Sequence, residues 1–349
     1  MKRIDPKHSF NYFLFGIKVT VSSSEKRFHD RLGAFLNRCP NGEARPSPEA
    51  QVSFDLYSAE DSLRKPSIPR SASLVSSPEF PLKIYKAGQE FYLTFEESWL
   101  QLSLPECRSI GVFDEKIWKY PRVAESFFFN GLCMMFHFCG LYPIHAAGLT
   151  FQKQGFLFIG KSGSGKSTLA LTLVKRGWKY LSDDILLLRL IDSTAEMLAI
   201  PVEFKTDNRT MHRFLASAGS DFVFQVPIPE AMPYDDKHYV RMDRFYPDRF
   251  ESRCLPRFLL FAEVAPRATS ELAILGKNET LRGLLEASQI FMFDAGQAAG
   301  HLEALKTLVQ QTTAYRLYAG RDVLESPESF EKFLLDNTQT ESKKFNRDV

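Results

Sequence analysis

Residues 160–167 read Gly160-Lys161-Ser162-Gly163-Ser164-Gly165-Lys166-Ser167, a complete Gly-x-x-x-x-Gly-Lys-Ser phosphate loop. The glycines let the backbone wrap tightly, so that successive N–H groups point inward at phosphate oxygens. Lys166 would reach the β- and γ-phosphates, and the Ser167 hydroxyl would ligate Mg²⁺. An apolar run, Phe156-Leu157-Phe158-Ile159, enters the loop as a strand would, and residues 168–174 leave it with helical apolar spacing. The phosphates would then lie at a helix N-terminus, where free N–H groups and the helix dipole favour anions. The pattern therefore predicts a nucleotide site formed by residues 160–168, Thr168 included.

A phosphate loop says nothing of what the nucleotide is for. Asp183-Asp184 supplies a second element: one carboxylate can hold Mg²⁺ while the other takes a proton from an acceptor hydroxyl. Side chains of neighbouring strand residues point to opposite faces, but at a strand end both can converge on one metal. His145 is a third element. It opens the strand Ile144 to Phe151, which a turn at Gln152-Lys153-Gln154-Gly155 would fold back antiparallel to the strand entering the loop, with Gly155 at positive φ. The start of the first strand then lies near the end of the second, bringing His145 close to Gly160, where it could orient a carboxylate or respond to acceptor charge. A phosphoryl-transfer site also needs cations. Lys205, Arg209, Lys237 and Arg241 follow the acidic pair, and Lys205, just past the predicted strands, is the first choice.

The elements that must position these residues follow from periodicity. Trp178 to Ser182 and Ile185 to Leu190 read as strands flanking the acidic pair, and Lys175-Arg176-Gly177 closes the loop helix with cations and a C′ glycine. Val123 to Cys139 is apolar nearly all round and reads as a buried helix. Farther on, a strand is predicted at Leu255 to Val264, helices at Glu279 to Ser288 and Gly300 to Gln311, a strand at Tyr315 to Ala319 and a last helix from Ser326-Pro327. Before residue 120 the pattern gives a strand-like run from Tyr12 to Val21, a helix carrying Phe28, Leu32 and Phe35, and antiparallel strands over 83–104. The Pro- and Ser-rich stretch 39–82 reads as a loop or linker. The expected organisation is a small N-terminal α+β module over 1–120, a nucleotide domain over 121–337 and a polar, frayed tail over 338–349.

With 349 residues the chain is long enough for about two domains. Its 44 Lys and Arg nearly balance 42 Asp and Glu, and the basic residues form no long run, which argues against nucleic-acid and anionic-membrane partners. Five cysteines without a Cys-x-x-Cys pair, and a polar N-terminus with no apolar segment behind it, fit a cytoplasmic protein with free thiols. The most apolar stretch, Phe127 to Leu141, is too short to span a bilayer.

Taken together, His145-Ala146-Ala147-Gly148, the hairpin, the loop, Lys175-Arg176-Gly177 and Leu181-Ser182-Asp183-Asp184 resemble the C-terminal domain of HPr kinase/phosphorylase and its relatives. The match covers residues 144–189. The resemblance implies an α/β fold with a mixed sheet, similar to the nucleotide domain of phosphoenolpyruvate carboxykinase, where a hairpin also precedes the loop. It implies an Mg²⁺- and ATP-dependent kinase acting on a serine hydroxyl of a peptide or small protein. By family role Asp183 is the acid/base that activates the acceptor, Asp184 and Ser167 organise Mg²⁺ and the phosphates, and His145 is an active-site histidine. It also implies that copies can assemble into a homo-oligomer. Thr168 stands where HPr kinases usually carry Glu, and their downstream signature is replaced by Ile200-Pro201-Val202-Glu203-Phe204-Lys205. The N-terminal third is more similar to HPr-kinase-related proteins of peptide-modification gene sets, including lasso-peptide maturation kinases, which points away from HPr as acceptor and from phosphorolysis. The rival readings are a kinase of the same fold with a small-molecule acceptor, and a nucleotide-gated binding protein without turnover.

Overall fold

The computed structural model describes residues 7–39, 51–61, 63–76, 82–200, 203–206, 210, 214, 223–225, 238–288 and 295–345. The chain forms two compact units, one of residues 1–142 with 225–236, the other of 143–224 with 237–349. Both are mixed α/β.

The first unit is built on an eight-stranded sheet. Its strands are β1 (His8–Leu14), β2 (Ile17–Ser23), β3 (Gln51–Ser58), β4 (Ser73–Leu74), β5 (Lys83–Ala87), β6 (Glu90–Phe95), β7 (Ser98–Ser103) and β8 (Arg108–Phe113), in the order β1-β2-β3-β8-β7-β6-β5-β4. The run expected as one strand from Tyr12 is a hairpin, because Phe15 and Gly16 take positive φ and reverse the chain between β1 and β2. The stretch 39–82 is not wholly a linker. Residues 51–58 form a strand in the interior of the sheet, parallel to both β2 and β8. Val52, Phe54 and Leu56 alternate onto its buried face, a period-2 pattern that the surrounding prolines and serines mask.

Two helices cover this sheet, α1 (Arg27–Leu36) and α2 (Pro121–Phe138). α2 is the buried helix expected near 123–139. Its Phe128 ring lies 4.6 Å from that of Phe54, and Phe127 meets Phe113 edge-on at 5.3 Å. The division between units therefore follows Tyr142 rather than residue 120, since the apolar faces of α2 are covered by the first sheet.

The second unit carries a nine-stranded sheet made of β9 (Tyr142–Phe151), β10 (Gln154–Ile159), β11 (Lys179–Ser182), β12 (Ile185–Ile191), β13 (Thr194–Ala199), β17 (Arg253–Cys254), β18 (Pro256–Val264), β19 (Glu271–Ile274) and β20 (Thr313–Ala319). Its path runs β17-β13-β12-β9-β10-β18-β20-β19, with β11 paired to β9. The intervening β14 (Phe204–Thr206), β15 (Val223–Phe224) and β16 (His238–Val240) form a separate small sheet. β10 is antiparallel to β9 and parallel to β18, as a hairpin before the loop requires. The turn is shorter than expected: Gln152 and Lys153 alone take positive φ, at 48° and 66°. Gly155 instead lies inside β10, where a Cβ would meet Cys254 Sγ and the Leu255 carbonyl, each at 2.7 Å. Its lack of a side chain permits close packing rather than a turn.

Helix α3 (Lys166–Lys175) packs Leu169, Leu171, Leu173 and Val174 into a core with Phe156, Phe158, Phe258 and the fully buried Trp178. Helices α4 (Lys277–Ala287), α5 (Ala295–Gln311) and α6 (Pro327–Phe345) follow. α6 runs eight residues into the segment expected to fray; Thr338 is buried and its hydroxyl donates to the Leu334 carbonyl. The Glu and Lys residues that made this stretch read as a solvated tail are equally good helix formers.

If α2 belongs energetically to the first unit, Phe128→Ala will cost about 3–5 kcal/mol, the usual loss for a fully buried ring. Denaturant titration followed by fluorescence of Trp99 and Trp118 measures it; a loss below about 1 kcal/mol would detach the helix from that core.

Candidate functional site

The Gly160–Ser167 loop joins β10 to α3. Gly163 and Gly165 take positive φ, 80° and 89°, and Gly165 is the N-cap of α3, so the helix begins at Lys166 with its first N–H groups turned into the loop. Lys166 is buried, and its Nζ donates to the carbonyls of Gly160 at 2.7 Å and Lys161 at 3.1 Å. Burial lowers its pKa, against the raising pull of Asp184 and Asp183.

The hairpin register brings His145 to this loop. Ala146 pairs with Ile159, the last pair of the ladder, so His145 stands beside the start of the loop at Gly160. The acidic pair arrives from the other side of β9. β11 pairs with β9, and the Ala146 N–H donates to the Asp184 carbonyl at 3.1 Å. Asp183-Asp184 forms the tight link from β11 to β12, and that link crosses directly beside His145.

The two carboxylates lie in different surroundings. Asp183 is 3% exposed. Its Oδ2 accepts from the Ser167 hydroxyl at 2.9 Å and from the Lys205 N–H at 3.1 Å. Its Oδ1 is buried with no hydrogen-bond partner among the described residues. Burial, then the neighbouring Asp184 charge, pushes this carboxyl up to about 7, although both hydrogen bonds act the other way. Asp184 is one-quarter exposed, with Lys205 Nζ 2.7 Å from its Oδ2 and His145 Nε2 3.3 Å from its Oδ1. Burial pushes it up as well, but Lys205, with His145 and Lys166, holds it below the ordinary carboxylate range. Burial lowers the His145 pKa, against the raising pull of Asp184 and with the help of Lys166 and Lys205. The Lys205 ammonium is raised, its burial outweighed by Asp184.

His145, Ser162, Gly163, Gly165, Lys166, Ser167, Thr168, Asp183, Asp184 and Lys205 all line one cavity of about 440 Å³. Gly160, Lys161 and Ser164 line the opposite flank of the loop instead. Arg241 is not in this cavity; its guanidinium is engaged with Asp243 at 2.9 and 3.0 Å. Arg209 and Lys237 lie outside the described residues. Thr206, Thr210 and Val264 also line the cavity and were not expected there. Thr206 is next to Lys205 and Val264 ends the strand parallel to β10, so both follow from topology and neither from a motif.

The donor set can be tested against Mg²⁺. Among the described residues no group of three or more His, Cys, Asp or Glu side chains is arranged to hold a metal. A hydroxyl and one carboxylate with an unpartnered oxygen, beside a glycine-rich loop at a helix N-terminus, fit a cation that takes most of its ligands from phosphate and water, the usual habit of Mg²⁺.

No protein-family model matches the chain, and no curated protein matches it. Among solved structures, the HPr(Ser) kinase/phosphatase from Coxiella burnetii is similar over 59% of this chain and 95% of that one, with 10% identity and a TM-score of 0.32. No helix among the described residues is long and apolar enough to cross a membrane.

The raised Asp183 makes a signed prediction. A carboxyl near 7 in the folded protein and 3.8 otherwise stabilises the fold fully below about 4, and that contribution is lost as pH rises through 7. Asp183→Asn removes the titration. Without nucleotide, its melting temperature relative to the parent protein should rise by roughly 5 °C between pH 5 and pH 8. A difference that stays constant across that range would mean the carboxyl is not raised.

Proposed function

We propose that the second unit binds a magnesium–ATP complex and transfers the γ-phosphoryl group to a serine hydroxyl on a peptide or small protein. The observation that carries this reading is the convergence of Lys166, Ser167, Asp183, Asp184, Lys205 and His145 on one cavity at the N-terminus of α3. A binding protein without turnover needs the loop but has no use for two carboxylates held at different pKa values beside it. The acceptor class rests on the family resemblance.

In this reading the loop N–H groups and Lys166 hold the phosphates in line with the acceptor. A bound magnesium ion would supply charge neutralisation at the transferring phosphoryl group. Ser167 would hold it, and Asp183, which shares the Ser167 hydroxyl, would back that ligand with its free Oδ1. Asp184 is the carboxylate an incoming hydroxyl meets first, being the more exposed, and we assign it the acceptor proton. This exchanges the two aspartate roles that the resemblance implies. Lys205 keeps Asp184 ionised and adds a cation beside the transferring group. His145 fixes the rotamer of Asp184 through its Nε2.

Three variants separate these roles. Lys166→Ala should weaken Mg-ATP binding at least about tenfold by calorimetry. Asp184→Asn should keep Mg-ATP affinity within about threefold while phosphoryl transfer falls by roughly 10²–10⁴, the usual worth of a general base. Asp183→Asn should lose the magnesium dependence of ATP binding. The opposite pattern, with intact magnesium-dependent binding and no transfer in Asp183→Asn, would return the base to Asp183. ATP consumption that responds to metabolites but to no peptide would reassign the acceptor.

A further inference from the structure

A second cavity, of about 610 Å³, borders the same phosphate loop on its other flank. It shares Ser162, Gly163 and Val264 with the first, so the two are continuous over the crest of the loop. We infer that this second cavity is the seat of the nucleoside, so that a nucleotide lies across the loop with its phosphates on the Lys166 side and its base and ribose on the α4 side. The inference rests on the nucleotide reading above and extends it to the part of the ligand that the phosphate loop does not recognise.

Three observations carry it. The first is charge. Lys161, Arg282 and Arg316 face Glu263, Glu279 and Glu286 around this cavity, three of each sign. Balanced charge suits a neutral group rich in donors and acceptors, such as a base with a ribose, and does not suit a second anion. The second is shape. Gly283 in α4 brings the helix so close to β18 that a Cβ there would lie 2.3 Å from Phe261 Cε1. Phe261 is only half-buried and lines the cavity with Leu275, which gives a planar base an apolar wall. The third is helix periodicity. Glu279, Arg282 and Glu286 are exposed and stand at i, i+3 and i+7 of α4, so one face of the helix turns two carboxylates and a guanidinium towards the loop. Carboxylates accept from ribose hydroxyls and from an exocyclic amine, and a guanidinium donates to ring nitrogens or stacks on a base. At the crest, Gly163 has nothing within 4 Å of where a Cβ would stand, which leaves room for a ligand to cross.

Mg-tripolyphosphate carries the same anionic tail as Mg-ATP and no nucleoside, so calorimetry with the two probes isolates the second cavity. The parent protein should bind Mg-ATP at least about tenfold more tightly than Mg-tripolyphosphate, a gap of roughly 1.4 kcal/mol. In the double variant Arg282→Ala/Glu286→Ala, at exposed positions that leave the fold intact, that gap should shrink several-fold, with Mg-tripolyphosphate affinity unchanged. Gly283→Ala, which drives Phe261 into the cavity, should have the same effect; its melting curve shows whether it folds. Equal affinity of the parent protein for the two probes, or a gap unchanged in the double variant, would overturn the inference while leaving the phosphate site standing. Binding of neither probe would instead remove the nucleotide reading itself, and this one with it.

Discussion

The antiparallel register between β9 and β10 is the constraint on which the site depends. With Ala146 opposite Ile159 as the last pair, His145 stands beside the start of the Gly160–Ser167 loop. A slip of one residue would turn every side chain of β9 to the other face of the sheet and carry His145 away from the cavity. Two devices hold the register. The two-residue turn Gln152-Lys153 leaves no slack, because both residues already occupy the left-handed region that a tight hairpin demands. Gly155, one residue into β10, lets the β17–β18 junction approach so closely that no other residue would fit there. β9 in turn fixes the acidic pair through its pairing with β11 and the hydrogen bond from Ala146 to the Asp184 carbonyl. One strand thus positions three elements from separate parts of the chain.

The charges at the site follow from that placement. Asp183 and Asp184 are adjacent in sequence, yet their pKa values move in opposite directions: burial and the Asp184 charge raise Asp183, while the Lys205 ammonium outweighs burial and lowers Asp184. Asp183 turns into the protein, under the N-terminus of α3, and receives one hydroxyl and one amide donor. Asp184 turns towards the cavity and receives an ammonium and an imidazole. Two like charges on neighbouring residues repel, so ionisation of the better-paired partner raises the other. β14 contributes to both outcomes with a single residue, since Lys205 gives its backbone N–H to Asp183 and its ammonium to Asp184.

Much of this was legible in the sequence because it is local. The loop, the hairpin and the strand–Asp-Asp–strand step are each complete within a few residues, and the choice of Lys205 over Arg241 follows from its place just after predicted strands. What could not be read is non-local. The interior position of β3 depends on parallel partners at β2 and β8, the second 55 residues on (Ser53 opposite Arg108), while its own flanks carry the composition of a linker. α2 reads as buried from its all-round apolar surface, but nothing in its sequence says which sheet buries it; Phe54 and Phe113 decide that. Thr206, Thr210 and Val264 reach the cavity through topology, and the acidic and basic face of α4 reads as an ordinary solvated helix surface until β18 sets it against the loop.

A buried carboxylate with one unpartnered oxygen costs about 1–3 kcal/mol, and the fold tolerates it at the centre of its second unit. The surrounding packing explains how. Trp178, at the exit of α3, is fully buried between Phe151 and Phe156, and its indole N–H donates to Glu331 of α6 at 2.8 Å. Arg176 reaches Glu328 and Glu331 of the same helix. The C-terminal end of α3 is therefore clamped, leaving its N-terminal end to meet the loop and, through Ser167, Asp183 of the β11–β12 link without carrying the stability of the helix. Aromatic packing at one end of a ten-residue helix thus offsets an electrostatic cost close to the other.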